Sequence, residues 1–144
     1  MATQYIEDCV AHAVRLAELL SAEDAAPRAN PLRANPWIGR IRDLAVTDEH
    51  TISRPLIPVR FSGIGKPQWS THYVCCNDRL AYDPLIGEPV SIDELALRVF
   101  GRTLEVTEAV SPSKVKVLLA DGTLRTYINV LSKGAPARDA GAPI

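Results

Sequence analysis

HYVCCNDRLAYDP, residues 72–84, places apolar runs on both sides of a polar Asn-Asp pair, which is the pattern of a β-hairpin. If Asn77 and Asp78 form the turn, pairing runs Cys76 with Arg79, Cys75 with Leu80, Val74 with Ala81, Tyr73 with Tyr82 and His72 with Asp83. Directly opposed residues of an antiparallel pair share a face with Cβ atoms about 4.5–5.5 Å apart, so this register predicts a hydrogen bond between the His72 ring and the Asp83 carboxylate. A carboxylate on one imidazole nitrogen fixes the tautomer and stabilises the protonated ring, as a general base beside a nucleophile requires.

The nucleophile has to come from elsewhere in the chain. Cys76 shares the face of His72 but lies four residues along the strand, roughly 13 Å away at strand rise, and Cys75 points to the other side. Cys9 is the remaining thiol. Residues 3–21, TQYIEDCVAHAVRLAELLS, recur at helical spacing through Ile6, Val10, Ala13, Val14, Ala17 and Leu20. Thr3 or Asp8 could cap this helix; with Asp8 as the cap, Cys9 opens it, near the positive end of the helix dipole that favours a thiolate. Gln4 is a candidate amide donor to a developing oxyanion. His12 and His50 read as surface or capping residues.

Outward from these two segments the chain reads as one domain over residues 1–131, within the size that folds on a single core. PRANPLRANP, residues 27–36, is an extended loop by virtue of its prolines, and WIGRIRDL, residues 37–44, fits a short helix or a strand. TISRPLIPVRF, residues 51–61, reads as an edge or bulged strand, followed by a loop at SGIGKPQ whose GIGK lacks phosphate-loop spacing. SIDELALRVFG, residues 91–101, is a short helix with a Ser91/Glu94 capping box and a Gly101 stop. Residues 103–131 alternate apolar and polar groups around Asp121-Gly122, which predicts additional β-strands with Val115, Val117 and Leu119 facing Ile128, Thr126 and Leu124. Residues 132–144 are Gly/Pro/Ala-rich and read as a disordered tail. The expected class is α+β, an N-terminal helix on a mostly antiparallel sheet.

Composition narrows the function classes. With 47% apolar and 23% charged residues the chain has globular composition, and a net charge of -1 without a basic cluster gives no footprint for nucleic acid or an anionic membrane. No run reaches the length of a membrane span, and MATQYIEDC lacks the start of a Sec signal peptide, so the expected location is cytoplasmic or secreted by another route. Three cysteines, two of them adjacent, argue against a disulfide framework, and no ligand spacing suggests a metal; no cofactor is expected.

Cys9 in EDCVAHAVRLAELL, His72 in THYVCC and Asp83 in LAYDPLIGEPVSIDEL together resemble the pattern of papain-like fold cysteine enzymes. The likeness is greatest to small bacterial papain-fold toxin domains, and more remote to bacteriocin-leader peptidases and NlpC-type endopeptidases. It spans residues 4–101, and Gln4 stands one residue short of the oxyanion spacing of the lysosomal proteases. The resemblance implies a papain-like fold and a protease or glutamine deamidase with a Cys9, His72, Asp83 triad. It further implies a toxin or effector role, with a protein or peptide substrate and a cognate inhibitor or immunity protein as partners. The competing expectation is a non-catalytic binding module, an inhibitor or adaptor, that presents Arg125 and Tyr127 from the C-terminal β region.

Overall fold

A computed structural model describes residues 9–24, 35–59 and 68–141. Its elements are α1 (Cys9–Asp24), β1 (Pro36–Ile41), β2 (Asp43–Thr47), β3 (His50–Arg54), β4 (His72–Asn77), β5 (Leu80–Tyr82), β6 (Val90–Ser91), α2 (Ile92–Phe100), β7 (Val106–Val110), α3 (Pro112–Asp121) and α4 (Leu124–Gly141). The five-stranded sheet has the order β6-β5-β4-β1-β7, and each neighbouring pair is antiparallel. Strands β2 and β3 form a separate hairpin whose two turn residues, Asp48 and Glu49, both have positive φ. The protein is a mixed α+β fold with an N-terminal helix and an antiparallel sheet.

Strand alternation divides the core in two. Ile38, Tyr73, Cys75 and Val110 face a layer made by α1, α3 and α4, where they pack with Val10, Ala13, Ala17, Val115, Leu118, Leu124 and Ile128. Ile41, Val74, Cys76, Ala81 and Val90 face the other way, against Leu95, Ala96, Val99 and Phe100 of α2 and against Leu56. Central β4 is therefore buried on both faces from His72 to Cys76, which is why it reads as a continuous apolar run. Gly39 has to be glycine, because a Cβ there would lie 2.6 Å from Val106 Cγ1 and 3.1 Å from Cys76 Sγ.

Residues 91–101 form the expected short helix, with the Ser91 cap made to Asp93 rather than to Glu94. Ser91 Oγ accepts the Asp93 amide at 3.2 Å, and Gly101, at φ 76°, closes α2 by donating its N–H to the Leu97 carbonyl. WIGRIRDL supplies most of β1 and the first residues of β2. In the 51–61 segment only the part up to Arg54 is strand, and past Pro55 a single bridge joins Leu56 to Trp69. The 27–36 loop, apart from Asn35 and Pro36, lies outside the described residues, as does residues 60–67.

The C-terminal third departs from its expected β-structure. Only Val106–Val110 is strand; the remainder to residue 131 is helical. Ser111 caps α3 through the Lys114 amide, with Pro112 at the first helical position, and Gly122, at φ 72°, ends the helix instead of turning a hairpin. Burial of Val115, Leu118, Leu124 and Ile128 follows a helical spacing, and Val117 is exposed. Helix α4 runs on to Gly141, through most of the segment expected to be a disordered tail. Among the described residues no helix is long and apolar enough to cross a membrane.

Candidate active site

The hairpin of residues 72–84 forms, with its register moved. Asn77 pairs with Leu80, Cys76 with Ala81 and Cys75 with Tyr82, so the turn is Asp78-Arg79 and Asp78 takes the positive φ of 58°. Each β4 residue faces a partner two positions further along than the Asn77-Asp78 turn would give. A slip of two keeps every side chain on its face, so His72 and Asp83 remain on the same side as diagonal neighbours.

Local turn chemistry closes the diagonal. Asp83-Pro84 begins a turn, with Asp at its first position and Pro at its second. Asp83 Oδ1 accepts the Leu85 amide at 2.9 Å, and its carbonyl accepts the Ile86 and Gly87 amides, each at 3.0 Å. Gly87 sits at φ 87°. The turn ends β5 at Tyr82 and swings the carboxylate back under β4, where Oδ2 meets His72 Nε2 at 2.6 Å. Both side chains are at most 1% exposed.

Because β5 stops there, the first residues of β4 have no partner strand on that side among the described residues. Helix α1 packs against β4. It covers the face of the sheet that carries Tyr73 and Cys75, and its first described residue, Cys9, lies close enough to His72 and the Tyr73 backbone for both to favour its thiolate. Asp83 occupies Nε2 of the ring, leaving Nδ1 for Cys9. Nδ1 is buried and has no hydrogen-bond partner among the described residues; in catalytic sites such a bond often forms only when substrate is bound.

The charges lock together. Burial pulls the His72 ring down, but the charge and hydrogen bond of Asp83, with a smaller contribution from Cys9, outweigh it and push the ring up to about 10. Burial pushes Asp83 up, and the His72 charge, the His72 hydrogen bond and the Leu85 amide hold it below the usual carboxylate range. Burial likewise pushes the Cys9 thiol up; His72 and the Tyr73 amide more than offset it, so Cys9 titrates below an ordinary thiol. The arrangement supports a thiolate beside an imidazolium oriented by a buried carboxylate.

Two aromatic residues of the site carry no mark in the sequence. Trp69 stacks on the His72 ring, with centroids 5.2 Å apart and planes 11° apart, and Phe100 meets the same ring edge-on at 5.6 Å. Trp69 and Phe100 also touch each other edge-on at 6.1 Å. An aromatic face against the ring favours its cationic form and excludes water from the Asp83 bond. His12 is not a plain surface residue either: it is half-buried beside the site and interacts with the Asp83 charge. His50 is exposed on the β2–β3 hairpin.

The structure therefore brings together Cys9, His72 and Asp83, while Gln4 lies outside the described residues. Cys75 and Cys76 stay in the core, where burial pushes Cys75 up to about 12 and drives Cys76 still higher. Among the described residues no group of three or more His, Cys, Asp or Glu is placed to hold a metal ion. No family model, curated protein or solved structure matches the chain.

Proposed function

We propose that the protein is a cysteine-dependent amide hydrolase, papain-like in the arrangement of its site, acting on a protein or peptide by Cys9, His72 and Asp83. The observation that carries this reading is the buried 2.6 Å bond from His72 to Asp83 with the Cys9 thiol on the same ring. The Cys9 thiolate attacks the amide carbonyl carbon, and the oxygen takes the negative charge. As the C–N bond breaks, the His72 imidazolium gives its Nδ1 proton to the departing amine, leaving a thioester on Cys9. Neutral His72 then takes a proton from water, whose oxygen attacks the thioester, and the acid departs as thiolate and imidazolium are restored. Asp83 stays ionised and holds the ring throughout.

A peptide bond or a glutamine side chain fits this chemistry, giving a protease or a deamidase. The toxin or effector role, with its cognate inhibitor, rests on the resemblance alone. The binding-module alternative loses its motivation, because the strands meant to present Arg125 and Tyr127 are helices and Tyr127 packs under Lys114 Nζ, 5.3 Å from the ring centroid.

The test is alkylation by iodoacetamide between pH 5 and 9, read by peptide mass mapping. Cys9 should react fast, with a midpoint below the roughly 8.5 of an ordinary thiol, while Cys75 and Cys76 stay unmodified in the folded protein. Cys9 reacting no faster than an unperturbed thiol across that range would rule the activated thiolate out.

A further inference from the structure

A cavity of about 260 Å³ lies between α1 and the turn that carries Asp83. Leu16, Tyr82, Pro84 and Pro89 wall it, with His12 and Glu88 as its polar members and Asp83 on its boundary. Helix α1 sets Cys9, His12 and Leu16 at i, i+3 and i+7, one stripe of the helix, and side chains three apart have Cβ atoms about 5–6 Å apart. The cavity thus begins one helical turn from the reactive thiol. It opens past Gly87, where an added Cβ would meet nothing within 4 Å.

Its polar groups are already committed. Asp83 spends one oxygen on His72 and the other on the Leu85 amide. Glu88 is ion-paired with Arg98 at 3.5 Å. Burial pulls His12 below its ordinary value, so its ring is neutral at neutral pH. No unmatched charge invites a charged ligand, and the volume falls short of the roughly 300–1,000 Å³ of sites that enclose a whole small molecule or cofactor. What remains is a mostly apolar recess with room for a large side chain.

We propose that this recess is a specificity subsite that takes an aliphatic or aromatic side chain of the polypeptide whose amide is presented to Cys9. The inference rests on the hydrolase reading. Filling the recess with the substrate's side chain removes apolar surface from water on both partners, and selection among side chains by such a pocket is worth roughly 10- to 200-fold.

The experiment compares dipeptide vinyl sulfones carrying leucine, phenylalanine, glycine or aspartate next to the electrophile, each measured by the second-order rate of Cys9 modification with iodoacetamide as the reference reagent. Leucine or phenylalanine should exceed glycine and aspartate by roughly tenfold or more. In Leu16→Gln the leucine-to-glycine ratio should collapse toward one, and in Leu16→Ala preference should move from leucine toward phenylalanine. Thermal melts of both variants establish that they fold; Leu16 is only partly buried, and either variant alone decides the question. Equal rates for all four probes, or a ratio untouched by both substitutions, overturns the subsite. Slow iodoacetamide labelling of the unsubstituted protein overturns the thiolate reading instead, so the two failures are separable.

Discussion

Cys9 and the pair Cys75-Cys76 carry the same functional group within one fold, Cys9 and Cys75 at the core layer beneath α1 and Cys76 on the other face of β4, and their chemistry diverges. All three thiols are pushed up by burial. For Cys75 nothing opposes it, and for Cys76 only the Gly39 backbone does, against the added repulsion of Cys75. For Cys9 an imidazolium and a backbone amide reverse the sign. Burial is the common background, and reactivity comes from the placement of one cation. That cation exists only because Asp83 holds it, so the difference between the cysteines depends on a residue that touches neither region directly.

The largest break in that comparison is therefore Asp83→Ala. It leaves the buried His72 ring without its counter-charge, and removing one partner of a buried pair costs about 3–5 kcal/mol. The ring then loses its proton near neutral pH, and the Cys9 thiol drifts up toward Cys75. Urea unfolding should show the lost stability, and iodoacetamide labelling of Cys9 at pH 7 should fall by roughly tenfold or more. Asp83→Asn keeps a hydrogen-bonding group at Nε2, so it should recover part of the stability and little of the labelling rate.

Next in size is the dependence on pH. His72 is raised in the folded state, so its contribution is complete below the unfolded imidazole value of about 6.5 and is lost as pH rises through about 10. Asp83 is lowered, so its contribution is complete above the unfolded carboxylate value of about 3.9 and is lost as pH falls through its lower folded value. The pair stabilises fully between those limits and fades on either side. Urea midpoints taken from pH 3 to 10 should trace that plateau, and the same series on Asp83→Asn should lose the alkaline limb.

How much of this was readable beforehand differs between the two ends of the chain. The meeting of His72 with Asp83 followed from strand alternation, which survives a two-residue slip, although the turn fell on Asp78-Arg79 and the carboxylate arrives through the Asp83-Pro84 turn. The helix that carries Cys9 followed from helical spacing, while the choice between Thr3 and Asp8 as its cap falls outside the described residues. The C-terminal third was misread because Asp121-Gly122 satisfies two geometries at once: a glycine at positive φ suits a hairpin turn and a helix stop equally. Ser111-Pro112, a cap followed by proline at the first helical position, was the discriminating signal, and it outranks the Val/Lys alternation of KVKV. Trp69 and Phe100 were invisible because ring stacking depends on tertiary packing that no local spacing encodes.

Smaller effects sharpen the comparison from the inert side. Cys75→Ala and Cys76→Ala should each cost about 1 kcal/mol through lost packing and leave Cys9 labelling as it was, since neither thiol reaches the His72 ring. Loss of labelling in either variant would mean that the two cysteine regions are coupled through the sheet.

The smallest effect is expected at Tyr73, which touches both regions. Its backbone amide favours the Cys9 thiolate, while its side chain packs in the cluster that includes Cys75. Its hydroxyl is buried with no hydrogen-bond partner among the described residues. An unsatisfied buried hydroxyl opposes folding, so Tyr73→Phe keeps the ring, removes the orphan and should leave stability unchanged or raise it by about 1 kcal/mol. Because the substitution spares the backbone, Cys9 should alkylate at the original rate. A loss of stability would show that the hydroxyl has a partner after all, and slowed labelling at unchanged stability would show that the side chain, not only the amide, sets the position of β4 against α1.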